Sequence, residues 1–142
     1  MKQIPLIGLA FFSLISAAYA NDLLRFDKPQ SYKQQQALKA LENQDLSYVI
    51  ANIDLNNDFI DEYVIRPENM ASCPKAPLCP FTIVAFENRK PIIIGTFDAH
   101  KMLVSHQKTY GVRHIIVYNQ SHNDYTSAEA AWNPFSYRFE LL

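Results

Sequence analysis

Phe81-Thr82-Ile83-Val84-Ala85-Phe86-Glu87-Asn88-Arg89-Lys90-Pro91-Ile92-Ile93-Ile94-Gly95-Thr96-Phe97 is the stretch that decides the fold. Two runs of β-branched and aromatic residues flank Asn88-Arg89-Lys90, which has turn composition. The spacing predicts a strand from Phe81 to Phe86, a turn, and a second strand from Pro91 to Phe97, near a sheet edge where Pro91 begins it. The same signals spread outward. Leu46 to Ile53 and Glu62 to Ile65 read as strands. Lys101 to Gln107 and Val112 to Asn119 read as a hairpin around Thr109-Tyr110-Gly111. Gln120 to Thr126 is polar and reads as loop. Ser127 to Trp132 is ambiguous, and Phe135 to Leu141 alternates as a last strand. That alternation puts Phe135, Tyr137 and Phe139 on one face, where core packing is the default.

Upstream, residues 21–30 read as an extended leader ending near Pro29. Ser31 with Gln34 three residues on fits a capping box, and Tyr32, Ala37, Leu38 and Leu41 lie at helical spacing. A helix from Tyr32 to Asn43 is expected, packing its Leu38–Leu41 stripe on a sheet. The expected class is α+β, mostly β: one N-terminal helix on a twisted, partly closed antiparallel sheet of six or seven short strands.

Residues 1–20 read as a cleavable signal peptide. Lys2 supplies the positive start, Ile4 to Ala17 the apolar stretch, and Ala18-Tyr19-Ala20 the small-x-small cleavage site. That apolar stretch is short for a membrane span. The expected mature chain is residues 21–142, a single domain of 122 residues (142 less 20) in the periplasm or secreted. Without Lys2 it carries 12 basic residues (13 less 1) against 14 acidic ones, so no general attraction for nucleic acid is expected.

Cys73 and Cys79 lie in Ser-Cys-Pro-Lys-Ala-Pro-Leu-Cys-Pro, and outside the cytoplasm they read as a disulfide closing a proline-stiffened loop. The sharper alternative is a redox-active pair, but the spacing is not Cys-x-x-Cys. Only Gly95 and Gly111 remain in the mature chain, which excludes a glycine-rich phosphate cradle. His100, His106, His114 and His122 form no local zinc motif, and no Gly-x-Ser-x-Gly elbow occurs. His106 and His114, on the two arms of the predicted hairpin, are placed to face one another as a surface pair. Asp61 and Glu62 fall on opposite faces of a strand and do not share a substrate easily. No catalytic residue is assigned, and the expectation is that the chain is not an enzyme.

One segment carries a mechanism. In Asp54-Leu55-Asn56-Asn57-Asp58-Phe59-Ile60-Asp61-Glu62, oxygens of Asp54, Asn56 and Asp58 stand at the first, third and fifth positions of a turn. With a backbone carbonyl near Ile60 and the Glu62 carboxylate, they compose a Ca²⁺ ligand set. Followed by Tyr63-Val64-Ile65, the segment resembles the calcium-loop strand turn of FG-GAP/VCBS-type sequences. The chain's layout is also similar to that of small exported bacterial proteins with an N-terminal helix, this turn, a two-cysteine loop and an aromatic C-terminal strand. The resemblance implies a β-rich fold and weak calcium binding, with Kd on the order of 10⁻⁴–10⁻³ M, and it names no activity. Asn57 and Phe59 stand where that pattern prefers glycine. Phe59 at the sharpest point of a metal-wrapping turn is strained unless its ring packs on the core. The alternative is that Asp54, Asn56 and Asp58 only satisfy the backbone of the turn.

Export, small size, a pinned loop and the lack of catalytic motifs together suggest a protein that works by binding, such as an inhibitor or immunity protein of a cell-wall hydrolase or toxin. Lys75 and Leu78 on the pinned loop, with Tyr125 and Trp132 as amphipathic anchors, are the candidate partner-binding residues. Two alternatives stay open. One is a structural envelope module that uses the calcium turn. The other is a hydrolase whose site, including His106 or His114, is assembled from distant parts of the chain. No cofactor is required, apart from Ca²⁺ in the first alternative.

Overall fold

The computed structural model describes residues 21–121 and 124–142. The signal-peptide segment and His122 lie outside the described residues. The elements run β1 (Asp22–Leu23), α1 (Tyr32–Leu38), β2 (Tyr48–Ile53), β3 (Glu62–Pro67), a 3-10 turn (Met70–Ser72), β4 (Cys79–Glu87), β5 (Lys90–Ala99), β6 (Lys101–Thr109), β7 (Val112–Ser121), β8 (Asp124–Asn133) and β9 (Arg138–Leu141). They form two antiparallel sheets and not one partly closed sheet. One has the order β2-β3-β4-β5, the other β1-β6-β7-β8-β9.

The quoted stretch forms β4 and β5, with Phe86 opposite Pro91 and Phe81 opposite Phe97. Its near-continuous apolar character has a physical cause: the four-stranded sheet is covered on both faces. Phe81 and Ile83 point into the main core between the sheets, with Val64, Ile94, Met102, Val104, Ile115 and Phe139. Val84 points the other way, joining Tyr63, Ile65, Ile50 and Ala37 beneath α1. The layers are therefore helix, four-stranded sheet, five-stranded sheet. Register shifts once, after Ile83, so that Ile83 faces Gly95 and Val84 faces Ile93.

The helix starts where the capping box predicts. Ser31 Oγ accepts from Gln34 N–H at 3.0 Å, and Gln34 Oε1 accepts from Ser31 N–H at 3.1 Å. It ends at Leu38, not Asn43. Beyond it Ala40 N–H donates to Ala37 O and Leu41 N–H to Leu38 O, three-residue bonds that tighten and stop the helix. Leu38 and Leu41 still pack on the inner cluster from this last turn. The leader is not free: Asp22–Leu23 pair with β6, and Asp27 exchanges backbone bonds with Ile50. The segment thus straps the two sheets together.

Two further corrections concern the C-terminal third. The predicted loop Gln120–Thr126 is mostly strand, with Gln120 opposite Tyr125 and Ser121 opposite Asp124, and Ser127–Trp132 continues β8. The last strand begins at Arg138, and Tyr137 has φ 56°, which breaks the extended run. Only Phe139 of the three alternating aromatics is buried; Phe135 is 91% exposed.

Cys73 and Cys79 form a disulfide, with Cα atoms 5.5 Å apart. The loop they close contains a cis Ala76-Pro77 bond and is tied to β5 by Lys75 Nζ, 3.1 Å from Asp98 Oδ2. Among the described residues no helix is long and apolar enough to cross a membrane.

Candidate functional site

Successive hairpins of a sheet alternate between its two ends. The β2–β3, β4–β5, β6–β7 and β8–β9 turns all gather at one pole of the sandwich. Arg113 N–H, just after the β6–β7 turn, donates to Leu55 O in the β2–β3 turn at 2.8 Å, which joins the two sheets there. Among the described residues, the seven with positive φ all lie in these four turns: Asn57, Phe59, Asn88, Arg89, Tyr110, Gly111 and Tyr137. The disulfide loop, the β5–β6 connection and the paired ends of β7 and β8 at Ser121 and Asp124 lie at the opposite pole.

Between the four turns opens a cleft of about 330 Å³. Its walls come from Leu55, Ile60, Ala85, Phe86, Ile94 and Val112, with Trp132 and Tyr137 on one side and Asn56, Asp58 and Glu62 at the acidic end. Trp132 is held by edge-to-face contacts with Tyr137 at 4.9 Å and Phe139 at 5.6 Å between centroids. Glu62 opens β3 and is 8% exposed. Its Oε2 accepts from Leu55 N–H at 2.8 Å. Burial, with the Asp58 and Asp54 carboxylates nearby, pushes the Glu62 carboxyl up to about 7. The lining includes no lysine, arginine or histidine. The nearby Arg113 guanidinium turns away, to Asp22 Oδ2 at 2.6 Å, and it holds that carboxyl below its ordinary value.

No protein-family model matches the chain, and neither a curated protein nor a solved structure matches it.

The five residues of the predicted calcium turn are near one another, but the carboxylates of three of them, Asp54, Asp58 and Glu62, already accept from backbone N–H groups. Asp54 accepts from Asp58 N–H at 3.2 Å and Phe59 N–H at 2.9 Å, and Asp58 accepts from Ile60 N–H at 2.9 Å. Desolvation would raise the Asp54 carboxyl; the N–H groups of Phe59, Asp58, Asn57 and Asn56 outweigh it and hold the group low. Among the described residues, no three His, Cys, Asp or Glu side chains are grouped to hold a metal. Phe59 takes φ 63° and Asn57 φ 59°, at the two positions where the calcium-turn pattern has glycine. The Phe59 ring does not pack on the core; it is 93% exposed.

The four sequence-predicted partner residues do not share a surface. Lys75 and Leu78 sit on the disulfide loop. Tyr125 stands near the start of β8, opposite Gln120, at that same pole, whereas Trp132 lines the cleft at the other. Tyr125 and Trp132 are seven residues apart on β8, about 23 Å at strand rise, and on opposite faces. His106 and His114 also part company. His106 Nε2 lies 3.5 Å from Asp22, while His114 bridges Thr109 Oγ1 at 2.5 Å and Glu129 Oε1 at 2.7 Å. Sequence reading missed the exposed turn side chains Phe59, Ile60, Tyr110 and Phe135 as a set. Phe59, Ile60 and Tyr110 stand out in the sequence only as apolar residues in turns, and Phe135 reads as a strand residue; their convergence depends on which hairpins share a pole.

Proposed function

We propose that the chain is an exported protein-binding module, in the manner of an inhibitor or immunity protein of a cell-wall hydrolase, and that its contact surface is the four-turn pole. One observation carries this reading: Phe59, Ile60, Tyr110, Phe135 and Tyr137, all exposed, crown a single end of a small domain around the acidic cleft. Exposed apolar clusters of this kind mark interaction sites, and aromatic residues are the preferred anchors. Turns on a rigid sandwich are also well suited to present them. The acidic floor gives the partner a chemistry, a basic loop or edge that projects into the cleft. The proposed location is the periplasm or beyond, which the disulfide and the N-terminal segment support.

The test is capture from native envelope and secreted proteins on residues 21–142, followed by titration of the purified partner. Replacing Phe59 and Phe135 with alanine should weaken binding at least tenfold, while Lys75→Ala should leave it unchanged. The reverse pattern would move the interface to the disulfide loop and overturn this assignment.

A second reading, a structural envelope module using the Asp54–Glu62 turn for weak calcium binding, is favoured by the positive φ at Asn57 and Phe59. It requires that millimolar Ca²⁺ raise the melting temperature and that Asp58→Ala abolish the rise. The hydrolase reading has the Thr109–His114–Glu129 chain behind it, a hydroxyl, imidazole and carboxylate in the contact order of a nucleophile, base and orienting acid. Turnover of an envelope substrate, lost in His114→Ala, would support it.

A further inference from the structure

We infer that the cleft floored by Glu62 receives one basic side chain, lysine or arginine, presented by the protein partner. The inference rests on the four-turn pole being the contact surface, and it specifies what that surface reads. Three features of the cleft select this occupant. Its floor is a buried carboxyl with one oxygen held by Leu55 N–H; the carboxyl lines the cleft, and Oε1 receives no hydrogen bond from any other described residue. Asp58 adds a second negative group, and no basic side chain lines the cleft to neutralise either. An anion is therefore repelled, and a neutral apolar group would exclude water from the carboxyl while adding no donor to the one from Leu55 N–H.

Six of the lining residues are apolar: Leu55, Ile60, Ala85, Phe86, Ile94 and Val112. A small hydrated metal ion gains nothing from such walls. The aliphatic stem of a lysine or arginine does, because it buries methylenes while its charged tip reaches the polar end. The Trp132–Tyr137 pair adds two aromatic rings beside the path of that tip, and cations are attracted to aromatic faces. The volume, about 330 Å³, is at the small end of ligand clefts and suits a single inserted side chain. The tip would then donate to Glu62 Oε1 as a charge-assisted hydrogen bond.

The experiment uses small probes on residues 21–142 at pH 8, with chelator present. n-Butylammonium and n-butylguanidinium are titrated while backbone and indole N–H signals are followed by NMR; n-butanol and n-butyrate serve as the neutral and anionic controls. The expected result is a saturable shift centred on Leu55 N–H and the Trp132 indole for the two cations, and none for the controls. Glu62→Gln should weaken the cations at least tenfold. Asp58→Asn, a surface change, should weaken them less and covers the case in which Glu62→Gln alters the fold. Equal response to butanol would make the cleft a generic apolar pocket. No response to either cation, or a response to Ca²⁺ alone, would also overturn the inference. Failure here with Phe59 and Phe135 still needed for partner binding would leave the pole standing as the interface. Cation binding with no protein partner would remove the interface and keep the cleft.

Discussion

Replacing Glu62 with glutamine should stabilise the domain at alkaline pH, and the amount follows from where the carboxyl sits. Glu62 is 8% exposed, and burial together with Asp58 and Asp54 raises it from an ordinary 4.5 to about 7. A raised carboxyl favours the protonated form in the folded state. Below pH 4.5 it is neutral in folded and unfolded chains alike and has no net effect. Between 4.5 and 7 the unfolded chain releases the proton first, so stability falls as pH rises, and above 7 the loss is complete. At about 1.4 kcal/mol per pH unit that interval sets an upper bound of roughly 3 kcal/mol, and because the carboxyl lines a solvent-filled cleft, screening reduces the expected loss to about 1–2 kcal/mol. Glutamine keeps an oxygen for Leu55 N–H and removes the charge. Thermal melting of both proteins, with chelator, should place Glu62→Gln above the parent at pH 8 by roughly 5 °C, at about 3–5 °C per kcal/mol for a domain of this size. The two melting temperatures should converge near pH 4.5. A variant equal to or less stable than the parent at pH 8 would refute the reasoning, because it would mean that a cation or donor compensates the carboxylate in the folded chain.

Phe59→Gly should raise stability by up to about 1 kcal/mol, since it relieves a φ of 63° on a ring that touches almost nothing; chemical denaturation reads it, and a loss of stability would mean that the ring packs on the chain. Replacing Cys73 and Cys79 together with alanine should cost about 2–3 kcal/mol, as expected for a short closed loop, measured as a lower denaturation midpoint at an unchanged slope. Gly95→Ala should cost about 1–3 kcal/mol, because the added methyl would meet Phe139 Cβ and the Phe97 ring, each at 3.2 Å, inside the core. A neutral Gly95→Ala would show that β5 can shift at the bulge.

The strands that were legible in the sequence are those covered on both faces. Phe81–Phe86 and Pro91–Phe97 have apolar residues at nearly every position because α1 lies on one side and the second sheet on the other. The helix start was legible because Ser31 and Gln34 are a local device. Its end was not, because Leu41 keeps helical spacing while the backbone has already tightened into three-residue bonds. The polar ends of β7 and β8 extend past the core, so no burial pattern marks them as strand. The division into two sheets was invisible, since it depends on which strands pair and no local signal encodes that. The site was half legible. Glu62 and Trp132 were both singled out, but for different surfaces; they are 70 residues apart, and only the packing of two sheets brings them to one cleft.

The pole that carries the cleft is also where the chain accepts unfavourable conformations. Seven positive-φ residues fall in its turns, and only one, Gly111, is the residue that adopts them without strain. Two are asparagines, which tolerate the region. The remaining four are Phe59, Arg89, Tyr110 and Tyr137, for which it costs on the order of 1 kcal/mol each. Three of these are aromatic and exposed, so each also holds apolar surface in water. Glycine at the same positions would lower both costs. Neither cost is offset inside the fold for Phe59, which is 93% exposed. Tyr137 is the intermediate case, half exposed and braced against Trp132 at the wall of the cleft. Positive φ by itself is what two-residue hairpin turns require; what these turns add is that strain and exposure fall on the same aromatic side chains at one end of the molecule, which is the pattern that motivates the proposed contact surface. The stabilising layers lie elsewhere, in the two cores, so the pole can bear these costs without loss of the fold.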